Sequence, residues 1–170
     1  MPTNFYLFFV AGLIPLIVGF VYYHPKLAGT AWMRVNQFTE DNLKGGNMAL
    51  IMGMAYLLSV ILSFFFSSVV IHQGALFSLL YPDILEMGSE AQTTFNEFMT
   101  TYGDRHRTFG HGVAHGIMAT LFFAFPVIAI ISIFERRSWK YVLIHVGYWA
   151  ITLALVGGLL SATLEYAAIG

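Results

Sequence analysis

The stretch "DRHRTFGHGVAHG", Asp104 to Gly116, holds three of the six histidines in this 170-residue sequence, together with two arginines and an aspartate. His111 and His115 are four residues apart, so on a helix they stack on one face. Imidazole nitrogen is a ligand for zinc and its neighbours in the periodic table, and a pair at this spacing needs a third donor. His72, His106, Asp104, Glu90 and Glu165 are the candidates. A divalent metal at His111/His115 is therefore one reading, and haem held between histidines on different helices is a weaker one. Another is a proton- or anion-responsive mouth, because imidazole titrates near neutrality and a helix start beside Arg105 and Arg107 is a positive end. The plain alternative is that these histidines satisfy neighbouring polar groups and do no more. A second set of polar and aromatic side chains lies elsewhere: His145 with Tyr148 on its helical side, and His24 with Tyr22 and Tyr23.

The elements that must position these residues are apolar. The chain is 58% hydrophobic and 10% charged, against roughly 25% charged residues in soluble domains. So little charge leaves too little polar surface for water, and lipid is the alternative solvent. Cysteine is absent, which removes disulfides, thiol catalysis and thiolate metal sites. A net charge of −1 offers nucleic acid no basic footprint. No glycine-rich phosphate loop occurs.

Four runs are long enough to cross about 30 Å of hydrocarbon, which takes roughly 20 helical residues. They cover about 5–23, 47–71, 111–134 and 141–164, and their cores contain no Lys, Arg, Asp or Glu. Backbone polar groups in lipid must bond internally, so the runs are predicted to be helices. The expected fold class is all-α: a polytopic membrane protein, one domain over 1–170, with four transmembrane helices in a bundle. The first run lacks a basic leader and a good cleavage site, so it is expected to be a retained helix. Pro15 and Pro126 should kink the first and third helices.

Residues 72–110 form a long connector. Ser89 to Gln92 reads as a capping box, and Phe95, Phe98, Met99 and Tyr102 follow at helical spacing until Gly103. A short amphipathic helix is expected there. "ALFSLLY" should prolong the second span as far as Pro82, and Thr39-Glu40-Asp41 should start that span before the membrane. The connectors after the first and third spans hold Lys26, Arg34, Lys44, Arg136, Arg137 and Lys140, while the other holds only Arg105 and Arg107. The basic pair of connectors is expected in the cytoplasm, which puts both termini and 72–110 outside.

Small residues recur every four positions on three helices: Ala55, Ser59, Ser63 and Ser67; Gly112, Gly116, Thr120 and Ala124; Ala150, Ala154, Gly158 and Ala162. Such ridges let membrane helices approach closely. Three of them exceed what one four-helix bundle needs, so a homo-oligomer is expected. The serine ridge is the one continuous polar track; its hydroxyls either line a pathway or bond to their own helix.

Two stretches, "GFVYYHPKLAGTAW" (Gly19 to Trp32) and "FERRSWKYVLIHVGYWAITLALVGGLL" (Phe134 to Leu160), resemble a family of small bacterial inner-membrane proteins catalogued as a domain of unknown function, 1761. Its members show an aromatic-aromatic-x-Pro turn after the first span, a downstream Trp, and Gly-Tyr early in the last helix. Tyr22, Tyr23, Pro25, Trp32, Gly147, Tyr148 and Gly158 occupy those positions. The long connector with "HGVAHG" departs from the common pattern. The resemblance implies a bacterial inner membrane and four helices, and no activity. The expectation is a non-enzymatic homo-oligomer in the bilayer that handles a small solute, ion or lipid. Its alternatives are a membrane-embedded metal-binding protein or metalloenzyme, and an accessory or scaffold subunit.

Overall fold

A computed structural model describes residues 2–166, and the described residues are helical throughout their regular structure. The elements are α1 (Tyr6–Tyr22), α2 (Thr30–Asn36), α3 (Glu40–Leu43), α4 (Met48–Val70), α5 (Gln73–Leu80), α6 (Glu90–Tyr102), α7 (Phe109–Ala119), α8 (Phe125–Phe134) and α9 (Trp139–Thr163). Three helical stretches are long and apolar enough to cross a membrane: α4, the continuous rod Phe109–Phe134 made by α7 and α8, and α9. The first predicted span falls short alone. α1 has 17 residues and qualifies only with its continuation Pro25–Asn36, to which it is bent by 55°. The chain thus has three candidate spans, or four if the bent pair is one.

Outward faces are apolar. Phe20, Phe122 and Phe134 are each about four-fifths exposed, and α4 presents Leu57, Leu58, Ile61, Phe64 and Phe65. Surface of this size is unfavourable against water and suits acyl chains. α9 is the hub: 44% of its apolar window is buried, against 17% for α4 and for the rod. The core gathers Phe8 and Ala11 of α1, Phe66 and Val70 of α4, and Leu153, Val156 and Leu160 of α9.

The prolines act differently from one another. α1 runs through buried Pro15 as one helix. Before Pro126 the chain widens into a π-turn over Thr120–Ala124. Proline cannot donate to the carbonyl four residues back and its ring collides with it, so one extra residue in the turn relieves both problems.

Two predicted extensions are corrected. The second span does not continue to Pro82: α4 ends at Val70, Ile71 is extended, and α5 starts afresh after His72. Nor does that span begin at Thr39. α3 is a separate turn, and the side chain of Asn47 caps α4 by accepting from the Leu50 amide at 3.2 Å. By contrast, α6 matches the predicted amphipathic helix. Ser89 Oγ accepts from the Gln92 amide at 3.1 Å, and the Gln92 side chain accepts from the Gly88 amide at 2.8 Å. The reciprocal bond therefore falls one residue before the usual capping-box donor.

The small-residue ridges pair inside the chain. A Cβ on Gly112 would fall on the Gly157 carbonyl, and one on Gly116 would lie 2.5 Å from the Ala154 amide nitrogen. A Cβ on Gly158 would lie 2.6 Å from the Phe109 ring. α7 and α9 therefore cross backbone to backbone. The α9 side of this crossing is Leu153, the Ala154 backbone, Gly157 and Gly158, so it takes in Ala154 and Gly158 of the predicted ridge together with their neighbours, while Ala162 is exposed. Ser59, Ser63 and Ser67 are also buried, and their hydroxyls donate to Ala55, Ser59 and Phe64 carbonyls of the same helix.

Candidate functional site

Break and restart of the chain at Ile71–Gln73 turns His72 out at one end of the packed helices. Thr108 starts the rod beside it, its Oγ1 accepting from the His111 amide at 3.2 Å, which sets His111 in the first turn and His115 one turn on. The Gly112/Gly116 seam fixes that face of α7 against α9, and the two histidines project beside it. Three imidazoles thereby meet. One ring nitrogen from each of His72, His111 and His115 lies within 4.8 Å of the others. His72 Nε2 and His111 Nε2 are 3.1 Å apart, a hydrogen bond between one protonated and one bare nitrogen. Ring centroids are separated by 4.4 to 5.1 Å.

His106 joins from the connector, its ring stacked on His111 at 5.1 Å and 23°. It lies outside the three-nitrogen group. The carboxylates stay away as well: Asp104 and Glu165 line a separate cavity of about 460 Å³ with Gln73, Met99, Gly103 and Arg107. Glu90 is at the start of α6 beside another, shallow cavity with Asp83 and Glu86. Among the described residues, the metal-competent group is all imidazole and contains no carboxylate.

Arg107 does not reinforce a positive mouth at the start of the third span, as the sequence suggested. It turns to the C-terminal end of α9, where Nε donates to the Ser161 carbonyl at 3.0 Å and Nη2 to the Leu164 carbonyl. A cation there complements the negative helix end. Burial pulls its guanidinium below the ordinary value without neutralising it. Gln73 and Ser161, neither singled out by sequence reasoning, tie the same connector: Gln73 donates to the Gly103 and Arg105 carbonyls at 2.8 and 3.0 Å, and Ser161 to the His106 carbonyl at 3.3 Å. No local pattern marks such long-range partners. The cap at Thr108 was readable, as a Thr directly before an apolar helical run.

At the opposite end lies the polar-aromatic cluster. Tyr23 Oη and His145 Nδ1 are 3.3 Å apart, Tyr22 donates to the Ile144 carbonyl at 3.0 Å, and Tyr148 to the Pro15 carbonyl at 3.0 Å. Tyr141 packs on His145 with ring centres 4.4 Å apart, and Trp32 on Tyr23 at 5.4 Å. His145 Nε2 is buried without a partner. His24 does not enter this cluster. It caps the turn Pro25–Gly29, its Nδ1 accepting from the Lys26 amide at 3.2 Å. The group staples α1 to α9 through tyrosine hydroxyls. A side chain at Gly147 would lie 2.5 Å from Tyr22 Oη, which accounts for a glycine there.

No curated protein and no solved structure matches this chain. One family profile does, described as a protein of unknown function, and the matched range spans the connector and both candidate clusters. On that match over residues 7–161 the chain belongs to the family DUF1761.

Proposed function

We propose that this protein is an integral membrane protein that binds one divalent transition-metal ion through His72, His111 and His115. The observation that carries this reading is the convergence of three imidazole nitrogens from two separate elements within 4.8 Å. Zinc binds histidine at about 2.0–2.1 Å, which sets tetrahedral ligand nitrogens about 3.3 Å apart. The 3.1 Å between His72 and His111 is near that value, and small side-chain rotations bring in His115. An all-nitrogen donor set favours zinc, copper or nickel over calcium and magnesium, which take oxygen ligands. Three protein ligands leave a fourth position for water or a substrate, the pattern of catalytic rather than structural zinc. The excess of basic residues in the connectors at the other end supports a reading in which the site faces the extracytoplasmic side of a bacterial inner membrane, with both termini on that side.

This reading takes precedence over passage of a solute through the bundle. The serine ridge that would line a pathway is buried, and its hydroxyls are occupied within their own helix. The two glycine-bearing ridges are used in the α7–α9 crossing, so they supply no argument for a homo-oligomer. The test is metal stoichiometry. Protein purified in detergent, stripped by chelator and titrated with Co²⁺ or Zn²⁺ should take up about one ion per chain. His111→Ala and His115→Ala should each bind at least about tenfold more weakly, the scale expected when a metal site loses a supporting group. Equal uptake by wild type and the double variant overturns the proposal.

A further inference from the structure

His106 is placed with unusual care for a residue outside the three-nitrogen group. Its backbone takes φ +64°, the left-handed region that non-glycine residues rarely occupy. The segment around it is tied at several points. Gln73, the neighbour of His72, holds the Gly103 and Arg105 carbonyls. Ser161 holds the carbonyl of His106 itself, and Arg107 clamps the end of α9. The imidazole that results stacks on His111 at 23°, so its in-plane nitrogen lone pairs do not point at the His111 ring, and none of its nitrogens joins the three-nitrogen group. That is a poor pose for a permanent fourth ligand.

It is a good pose for handing over an ion. His72 and His106 both line an open cavity of about 310 Å³, together with Gln73, Leu76, Phe98, Tyr102 and Arg105. The cavity is therefore bordered by a ligand of the proposed metal site on one side and by His106 on the other. Arg105 lines it too, with its guanidinium 4.9 Å from the centre of the Tyr102 ring. A free dication approaching this mouth meets a like charge, and His106 is the imidazole beside it that can offer a lone pair.

We propose that His106 is a transfer ligand, which accepts a divalent ion in this cavity and passes it to His72, His111 and His115. The proposal rests on the three-histidine reading above. The exchange is one of ligands only: the hydrated ion loses waters as it gains imidazole nitrogens, with no change of oxidation state. The proton shared by the Nε2 atoms of His72 and His111 moves to an Nδ1, so that both Nε2 lone pairs face the ion. As His115 engages, His106 lets go and returns to its stack on His111.

The test compares wild type with His106→Asn and His106→Gly. Asparagine and glycine both tolerate the left-handed backbone, so the loop keeps its course. Stopped-flow mixing of chelator-stripped protein with Zn²⁺ and a chromophoric indicator reads uptake, and mixing of loaded protein with excess chelator reads release. Both variants should bind about one ion with affinity within about threefold of wild type, and both rates should fall by about tenfold or more, since a lost transfer step raises one barrier seen from either side. Unchanged rates overturn the proposal. Lost affinity with unchanged uptake also overturns it and makes His106 a fixed fourth ligand. Wild type that binds no ion refutes the three-histidine reading itself, an outcome distinct from either.

Discussion

Gly116→Ala is the sharpest probe of the crossing on which the histidine site is built. Its added Cβ would lie 2.5 Å from the Ala154 amide nitrogen, where ordinary contact begins at 3.4 Å. The obstacle is backbone, so no side-chain rotation relieves it, and α7 must part from α9 by about 1 Å. A gap of that size forfeits a quarter to a half of each facing pair's dispersion energy, at about 0.1–0.2 kcal/mol per pair. Over a few tens of atom pairs the loss is roughly 1–3 kcal/mol, the range known for overpacked cores. Gly110→Ala is the control on the same helix. A Cβ there meets nothing within 4 Å, so the variant should gain about 0.5–1 kcal/mol from reduced chain entropy. The assay is reversible SDS unfolding in mixed micelles, followed by far-UV circular dichroism. The entropy gain is common to both, so the two variants should differ by roughly 1–3 kcal/mol, with Gly116→Ala the less stable and Gly110→Ala at or above wild type. Equal stability of the two would refute a backbone-to-backbone crossing and, with it, the fixed placement of His111 and His115.

Zinc at about a hundred times its Kd should stabilise wild type by about 2.7 kcal/mol in the same assay, and leave the His111→Ala/His115→Ala protein unmoved. Arg107→Gln should cost about 1.5–3 kcal/mol, because the end of α9 loses a charged donor to the Ser161 and Leu164 carbonyls; a cost below the scatter of the assay would mean that the clamp does not form. Tyr23→Phe, which leaves His145 with neither ring nitrogen partnered, should cost about 0.5–1.5 kcal/mol, read by thermal unfolding in detergent. Ser63→Ala should fall within about 0.5 kcal/mol of wild type, since its hydroxyl serves a carbonyl already bonded in the helix; altered solute flux in vesicles carrying this variant would restore the serine track as a pathway.

Much of this was legible before any fold was known. The helical runs followed from hydrocarbon thickness, the α6 cap from Ser89 and Gln92, and the pairing of His111 with His115 from the helical repeat. His72 could be named as a third donor only as one of several. Nothing local to His72 distinguishes it from Asp104 or Glu165, and the choice depends on the chain breaking at Ile71 and restarting at Gln73. His24 shows the converse. Its position at the end of α1 suggested the tyrosine cluster, and a local cap to Lys26 claimed it instead.

The sequence by itself determined the solvent, the helices and the faces of α7, because composition and a 3.6-residue period act within one segment. Only the tertiary structure decided which segments face each other. It put Gly112 and Gly116 against α9, closed the serines onto their own helix, turned Arg107 from α7 to α9, and set aside Asp104 and Glu165 in favour of a third imidazole. Those outcomes depend on distances between residues far apart along the chain, and such distances are set by the close packing of whole helices rather than by the pattern on any one of them.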